Sequence, residues 1–244
     1  MMYYIVIRKQ KDTDTPAISE VIRNAYISNV FNSWLNTLFS ELTFQLIVLL
    51  SALLFICLGV PLFHCLISIP VVVIILYVII YGSLIMKAAQ VMYEKKPLMC
   101  WVAEAYEPLL ITKNPDNCWY KIVRDDEIDI EELKLSGCQR KVIGTIAVMK
   151  HFQREDWCWL FRLGVEKRYR RKGVALKLIQ TVQNWCHQNH FNNIELVLTE
   201  CQDGARELFN VTGFDLKQLY HKKVFTSAVT LQMFQLRCEV RPTF

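Results

Sequence analysis

A short basic turn at residues 165–175 combines the residue types that bind a phosphate group. It follows a β-rich run that begins at Trp157 and precedes an amphipathic helical pattern that begins at Val174. Gly173 stands at the start of that helix, where glycine lets a ligand approach the backbone closely. The added positive charges are Arg170, Arg171 and Lys172. Because N–H groups at a helix N-terminus attract anions, the turn predicts a binding site for an anionic cofactor.

Strand-like and helix-like segments alternate on both sides of this turn. β-Rich runs bounded by turn residues predict strands, and apolar residues at helical spacing predict helices. The predicted strands are Tyr3–Arg8, Cys100–Glu107, Lys141–Met149, Trp157–Val165, Ile194–Thr199, Phe214–Leu219 and Val229–Cys238. The predicted helices outside the apolar run described next are Thr15–Phe31, Val174–Gln188 and Asp203–Val211. This order predicts an α/β domain with a mixed sheet.

A long apolar run interrupts the predicted domain after its first strand and helix. Residues Leu42–Met86 include no Asp, Glu, Lys or Arg, and one membrane-spanning helix needs about 20 apolar residues. Breaks at Gly59 and Pro61 predict two spans, Thr43–Leu62 and Leu66–Met86. A helical hairpin buried in a soluble core is the alternative, although soluble helices normally keep a charged face. We therefore predict that Leu42–Met86 forms a hairpin in a lipid bilayer.

The charged residues that flank the apolar run predict its orientation. Arg23 lies upstream and Lys87, Lys95 and Lys96 lie downstream, whereas the connecting turn carries no Lys or Arg. Because cytoplasmic flanks carry an excess of Lys and Arg, both termini are expected in the cytosol. A cleaved signal peptide is not expected, because the apolar run is too long and starts too far along the chain.

The composition indicates reduced cysteines and gives little support for metal or nucleic-acid binding. The nine cysteines include no Cys-x-x-Cys pair and the five histidines show no ligand spacing, so no metal site is predicted. The net charge of +5 favours an anionic cofactor or an anionic membrane surface. The basic cluster is too short to predict nucleic-acid binding, and the sequence makes no prediction about an oligomer.

A polar segment at about residues 108–140 separates the second and third predicted strands. It contains Asn114, Pro115, Gly137 and an acidic run from Asp125 to Glu132. Turn residues and like charges at this density predict a surface loop insertion with room for a short helix. A regulatory or substrate-selecting flap is the alternative interpretation.

Two motifs resemble those of the GNAT superfamily of acyl-CoA N-acyltransferases. The first is Arg170-x-x-Gly173-x-Ala175 after the strand that ends in Leu163-Gly164-Val165, and the second is Ala205-x-x-Leu208-Phe209-x-x-x-Gly213-Phe214. A closer resemblance is to the camello-like N-acetyltransferase 8 family. It rests on the hydrophobic hairpin, on Trp101-Val102-Ala103-Glu104 and on Leu160-Phe161-x-Leu163-x-Val165. It covers nearly the whole chain except residues 108–140.

This resemblance implies a GNAT-like α/β fold, in which a mixed, mostly antiparallel sheet is flanked by helices and interrupted by the two-helix membrane hairpin. Residues 1–41 would supply the first strand and helix, and residues 42–86 the hairpin. Residues 87–244 would form the catalytic core with its inserted acidic loop. The implied co-substrate is acetyl-CoA, and no metal is implied.

The resemblance also implies the contacts with acetyl-CoA. The strand Leu160–Val165 would splay from its neighbour near its end, so that Leu163, Gly164 and Val165 hold the pantetheine arm. A backbone N–H there would polarise the thioester carbonyl, and Gln202 would bond the pantetheine amides. The implied pyrophosphate contacts are Arg170, Arg171, Lys172, Gly173, Val174 and Ala175.

The implied reaction is direct attack of an amine on the thioester in a ternary complex, without a cysteine nucleophile. A base must take a proton from the ammonium, and Glu104 is the first candidate and Glu200 the second. A solvated carboxylate at a strand end is the alternative interpretation of either residue. Many related enzymes place a tyrosine as general acid where this chain has Phe209. Tyr169, Tyr220 or a water molecule would then supply the proton.

Two functions compete on these grounds. The first is a membrane-anchored N-acetyltransferase whose acceptor is a primary amine of an amino acid, a cysteine conjugate, or a protein lysine or N-terminus. The second is a non-catalytic membrane adaptor that keeps the fold and CoA binding. The membrane implied by the resemblance is the endoplasmic reticulum, with the catalytic domain on the cytosolic side.

Overall fold

Strands and helices alternate along the chain in the computed structural model, which describes residues 3–59, 61, 63–93, 96–108, 118–125, 138–199, 202–224 and 229–240. The described strands are β1 (Tyr3–Lys9), β2 (Met99–Pro108), β3 (Tyr120–Arg124), β4 (Cys138–Lys150), β5 (Trp157–Val165), β6 (Asn193–Thr199), β7 (Asp215–Val224) and β8 (Val229–Glu239). The described helices are α1 (Thr15–Ile27), α2 (Val30–Leu38), α3 (Glu41–Leu58), α4 (Ser68–Tyr93), α5 (Val174–Gln188) and α6 (Asp203–Val211).

These strands form one mixed sheet in the order β3-β1-β2-β4-β5-β6-β8-β7. Within the described part of the chain, β1 and β3 are parallel, β5 and β6 are parallel, and the other neighbours are antiparallel. The predicted mixed, mostly antiparallel sheet flanked by helices is therefore confirmed.

A wedge opens between β5 and β6. The ladder between these two described strands runs from Trp157, opposite Asn193, to Trp159, opposite Glu195. Beyond Trp159, β5 continues to Val165 along β4, while β6 continues along β8. The second half of β5 therefore has a free edge toward β6, as the sequence comparison implied.

The two faces of the sheet are covered by different helices, because successive side chains of a strand point to opposite faces. On one face, Trp101 of β2 belongs to the core that α5 completes with Leu178. On the other face, Val102 packs in a second core with Ile22 of α1 and Met92 of α4. The start of α5 and the body of α1 therefore approach the wedge from opposite sides of the sheet.

Helix α4 joins the apolar run to the sheet without a break. Together with the short 3-10 turn before it, this helix spans 30 residues, His64–Tyr93. In its most apolar 18-residue stretch, 22% is buried. Within the described residues it alone is long and apolar enough by itself to cross a membrane. The stretch Asp12–Leu38 together with Glu41–Cys57 meets the same criterion only as a pair bent by 68°. The two-span membrane hairpin stays a prediction.

One predicted helix boundary is wrong, and one helix extends beyond the predicted membrane span. The predicted helix Thr15–Phe31 breaks after Ile27, where a short turn separates α1 from α2. The second predicted span ends at Met86, whereas α4 continues to Tyr93. Its last turns bury Ala88 against the sheet while Lys87 stays exposed, so one charged residue does not end the helix.

The predicted loop at residues 108–140 contains a strand. Tyr120–Arg124 forms β3, which pairs in parallel with β1 at the edge of the sheet. Val123 is buried, and Tyr120 and Ile122 pack against the core around α5. Turn residues and acidic charges on both sides conceal this short apolar alternation in the sequence. Most of the predicted acidic run lies outside the described residues.

Candidate active site

The basic turn has the backbone geometry of an anion site. Arg171 has φ of 62° and Gly173 has φ of 82°, and α5 begins at Val174 directly afterward. Two left-handed residues in such a short turn direct successive N–H groups toward one side. The first N–H groups of α5 have no intrahelical acceptor, and the helix dipole adds partial positive charge. The predicted pyrophosphate contacts therefore lie together at one helix end.

Two basic side chains of the turn hold it in place. Arg170 donates from Nε to the Val165 carbonyl at 3.0 Å and from Nη2 to Ser28 Oγ at 2.9 Å. Burial lowers the pKa of this guanidinium. Lys172 donates from Nζ to the Cys118 carbonyl at 2.9 Å. These contacts tie the turn to the end of β5, to α1 and to the segment before β3.

The Arg171 side chain differs from these two because 84% of it is exposed, with Glu207 Oε2 3.7 Å from its Nη1. Among Arg170, Arg171 and Lys172, it is therefore the side chain best placed to add positive charge beside a bound phosphate. The sequence assigned all three residues the same role.

The predicted pantetheine contacts follow the point where β6 diverges. Leu163, Gly164 and Val165 lie on β5 beyond its ladder with β6. A Cβ atom at Gly164 would come within 3.3 Å of Ile22 Cδ1, so glycine lets α1 lie against this strand end. The strand end thus has α1 on one face, a free edge toward β6, and the basic turn directly after it.

Tyr169 is held in a buried contact that the sequence did not predict. Its side chain is 2% exposed, and its hydroxyl donates to Glu107 Oε1 at 2.7 Å. The Tyr120 hydroxyl donates to the same oxygen at 2.6 Å. Burial is the main cause that raises the pKa of both tyrosines, and the hydrogen bond to Glu107 raises it further. A raised pKa and an engaged hydroxyl do not favour Tyr169 as the general acid.

Glu104, the first candidate base, lies in a buried ion-pair network. Arg8 donates from Nε to Glu104 Oε2 at 3.0 Å, and the Tyr106 hydroxyl donates to the same oxygen at 3.0 Å. Arg8 also donates from Nη1 to Asp14 Oδ2 at 2.7 Å. Burial and the Glu104 charge raise the pKa of Tyr106 to about 12. The carboxylate is therefore partnered by a cation and a hydroxyl, unlike a solvated carboxylate at a strand end.

A cavity of about 310 Å³ lies beneath α1 and is lined by Glu104 and Glu166 among others. Glu166 directly follows β5, and its Oε1 accepts from Lys141 Nζ at 2.8 Å. Arg140 and Lys141 bring cations to the same cavity, and Glu20 adds a carboxylate from α1. The cavity therefore presents groups of both charges next to the end of β5.

The remaining candidates lie elsewhere. Glu200 is outside the described residues. Gln202 precedes α6, and its Oε1 accepts from the Thr199 N–H at 3.3 Å. Tyr220 lies on β7 opposite Met233. Phe209 is 1% exposed, with its ring 5.0 Å from that of Phe214, so it serves the core and supplies no proton.

Sequence interpretation missed two residues that shape this site, namely Arg8 and Glu107. The alternation along β2 gives a usable signal for Glu107, because it shares a face with Ala103 and Ala105, which are both buried. Arg8 gave no such signal for its bond to Glu104, since the two residues are distant in the sequence. Within the described residues, no cluster of His, Cys, Asp or Glu is arranged to hold a metal ion.

Comparison with known proteins agrees with this geometry. The chain is 29% identical over 103 residues to "Probable N-acetyltransferase camello" of Xenopus tropicalis, which covers 38% of this chain and 47% of that protein. It is 31% identical over 77 residues to "N-acetyltransferase 8B" of Mus musculus, covering 32% and 33%. The chain thus spans less than half the length of the curated relatives it matches.

A solved structure described as a "putative phosphinothricin N-acetyltransferase" shares the fold, with a TM-score of 0.51 and 11% identity over 98% of this chain and 99% of that one. The family model described as the acetyltransferase (GNAT) family matches residues 88–214. Because that match covers more than half of the 244 residues, the chain belongs to the acetyltransferase (GNAT) family.

Proposed function

We propose that the chain is an N-acetyltransferase that moves the acetyl group of acetyl-CoA to a primary amine. The observation that carries this proposal is the basic turn, with left-handed Gly173 before α5, directly after the free edge of β5. A pyrophosphate at the turn and a pantetheine arm along β5 fit this arrangement, which joins a helix N-terminus to a strand edge. Family membership supports the same donor.

The proposed chemistry is direct attack of the amine on the thioester carbonyl. A backbone N–H near Leu163–Val165 polarises that carbonyl and stabilises the negative charge that forms on its oxygen. The amine nitrogen bonds to the carbonyl carbon, the carbon–sulfur bond breaks, and the CoA thiolate leaves. The proton that the amine nitrogen loses passes through water to the thiolate, so that the products are the amide and CoA. No covalent enzyme intermediate is involved, because both substrates are bound together.

The mixed charges of the cavity beneath α1 support an acceptor that carries a carboxylate near its amine. Glu104 and Glu166 would attract the ammonium, and Arg140 and Lys141 would attract the carboxylate. An amino acid or a cysteine conjugate carries both groups. A protein N-terminus or lysine side chain presents the amine alone and is the other acceptor class to be tested.

We also propose that Leu42–Met86 anchors the chain in a bilayer. The length of α4 and the exposure of its apolar side chains, such as Ile74 at 63% and Val78 at 61%, support this. The proposed membrane is that of the endoplasmic reticulum, with both termini and the catalytic domain in the cytosol. Protease treatment of sealed microsomes tests the orientation: loss of tags at both termini is expected, and protection of either one overturns it.

A non-catalytic membrane adaptor that keeps CoA binding is the second candidate. It is favoured by the engaged states of the predicted proton-transfer groups, since Glu107 holds Tyr169 and Arg8 holds Glu104, and by the absence of a hydroxyl at Phe209. An adaptor would bind CoA through the basic turn without turnover.

One experiment separates the two functions. The full chain in detergent is incubated with acetyl-CoA labelled in its acetyl group and with amino acids, cysteine conjugates, and peptides bearing a free N-terminus or lysine. Labelled product that requires both substrates supports the enzyme. Binding of CoA by calorimetry without product for any amine supports the adaptor, and the absence of CoA binding contradicts both.

A further inference from the structure

Arg162 adopts a backbone conformation that normally favours glycine. Its φ is 56°, in the left-handed region that a side chain disfavours. The register between β4 and β5 shifts between Thr145 and Ala147, which lie opposite Gly164 and Phe161. Arg162 therefore forms a β-bulge directly before Leu163, where the free edge of β5 begins to serve acetyl-CoA in the proposed function. Strained residues of this kind persist where the surrounding structure holds them.

The Arg162 side chain binds the end of α4. Its Nε donates to the Val91 carbonyl at 3.1 Å and its Nη2 donates to the Met92 carbonyl at 2.6 Å. The last four carbonyls of a helix have no intrahelical donor and carry partial negative charge. The residue is 8% exposed, so its charge lies against these carbonyls and is shielded from water. A guanidinium satisfies both carbonyls at once because its donors form a rigid fork.

A second contact lies beside this clamp. Phe161, the residue before the bulge, packs in one core with Ala88 and Met92 of the last turns of α4. Two successive residues of β5 therefore hold the same helix end, one by packing and one by hydrogen bonds. The next residue, Leu163, begins the predicted pantetheine contacts. A change in the position of α4 thus reaches the acetyl-CoA strand through one peptide unit.

We propose that Arg162 is a positioning residue through which the C-terminal end of α4 sets the geometry of the acetyl-CoA-binding part of β5. The inference rests on the proposed function, since β5 is taken to hold the thioester. It explains why this position carries an arginine: glycine would suit the backbone but would release the helix. The docking of the apolar helix on the domain is then a condition for a correctly aligned thioester carbonyl.

Substitution of Arg162 separates the side-chain role from backbone strain. Arg162→Gly keeps the left-handed backbone without strain and removes the clamp, and Arg162→Lys keeps a cation without the fork. His190→Gly is the matched control, because His190 has φ of 60° in an exposed turn after α5. Each variant is made in the full chain and studied in detergent or in a lipid nanodisc.

Two measurements test the proposal. In Arg162→Gly, kcat falls by about a hundredfold, the factor that a displacement of about 1 Å can cause. KM for acetyl-CoA stays within about threefold, because the pyrophosphate turn is intact. The kcat of Arg162→Lys lies between those of the wild type and of Arg162→Gly. Added guanidinium ion raises the kcat of Arg162→Gly. Amide exchange in the last turn of α4 and in Leu163–Val165 rises together by about tenfold, as expected for loss of hydrogen bonds from a charged group.

Clear outcomes overturn the inference. Faster exchange in α4 without a change in Leu163–Val165, or an unchanged kcat in Arg162→Gly, contradicts a positioning role. If His190→Gly changes kcat and amide exchange as much as Arg162→Gly does, the change comes from replacing a left-handed residue and not from losing the contact with α4. If the wild-type chain transfers no acetyl group, the proposed function fails. The coupling of α4 to β5 is then judged by the exchange measurement alone, which needs no turnover.

Discussion

Gly173 and Gly213 provide a matched test of the pyrophosphate turn. Both glycines are left-handed, with φ of 82° and 84°. Both have space for a methyl group, since a Cβ atom at Gly173 would lie 3.7 Å from Ile122 Cδ1 and one at Gly213 would have no atom within 4 Å. Gly213 lies just after the end of α6, whereas Gly173 directly precedes α5. Substitution by alanine therefore adds the same backbone strain at both sites, and only one of them lies where the cofactor is expected.

The expected magnitudes follow from this geometry. A left-handed alanine costs about 1–2 kcal/mol, so both variants should lose comparable stability, and a chain of this size loses about 2–4 °C in Tm per kcal/mol. At Gly173 the methyl group also stands beside N–H groups that would face a phosphate. Loss of one hydrogen bond to a charged group costs about 1.5–3 kcal/mol, which weakens CoA binding by about tenfold to more than a hundredfold.

Titration calorimetry with CoA and thermal unfolding of the full chain in detergent measure the two effects separately. Gly173→Ala should show the weaker CoA binding in addition to its loss in Tm, whereas Gly213→Ala should show the loss in Tm alone. The reasoning is refuted if both variants bind CoA with the affinity of the wild type, because the turn would then not contact the pyrophosphate. Equal weakening in both variants would also refute it, since the effect would reflect strain.

Three further substitutions test buried contacts. The bond from Arg8 lowers the pKa of the Asp14 carboxylate. The stabilisation that the ionised carboxylate gives the fold is therefore present above about pH 4 and is lost as the pH falls through the folded pKa. Asp14→Asn should make stability depend less on acid pH, as followed by circular dichroism, and a pH profile identical to that of the wild type would contradict this role of Asp14. Glu107→Ala leaves the hydroxyls of buried Tyr169 and half-buried Tyr120 without their shared acceptor. In chemical denaturation it should cost about 1–3 kcal/mol for the Tyr169 hydroxyl and less for that of Tyr120, and Glu107→Gln should cost less than Glu107→Ala. Phe209→Tyr adds a hydroxyl at a site that is 1% exposed. This variant should lower the free energy of unfolding by about 1–3 kcal/mol without raising kcat. A higher kcat would show that a proton donor at this position assists the reaction.

Local sequence patterns predicted the elements whose signals lie within one segment. β5 and α5 have the predicted bounds, because aromatic and other apolar residues mark the strand and apolar residues at helical spacing mark the helix. The turn between β5 and α5 was recognisable because Gly173 and its basic neighbours are adjacent in the chain.

Partners that are distant in the sequence could not be inferred in this way. Arg8 and Glu104 pair across the β1–β2 ladder, and that register is set by the whole sheet. In the sequence, Arg162 is a single charged residue within an otherwise apolar strand. Its partners are carbonyl groups at the end of α4, about 70 residues earlier in the chain. β3 lacks a strong local signal, because an edge strand of five residues gains its stability from pairing with β1.

The engaged state of the proton-transfer candidates bears on the choice of acceptor. Glu104 is already partnered by Arg8 and Tyr106, and Tyr169 by Glu107, so the hydrogen-bonding groups of both candidates are engaged. A reaction without an efficient base depends on the fraction of acceptor that is already an uncharged amine. At pH 7 that fraction is about 10% for the α-amino group of a peptide N-terminus, with its pKa near 8, and about 0.04% for a lysine side chain, with its pKa near 10.4. For the proposed transfer, the difference of about two hundredfold favours a peptide N-terminus over a lysine side chain as the acceptor.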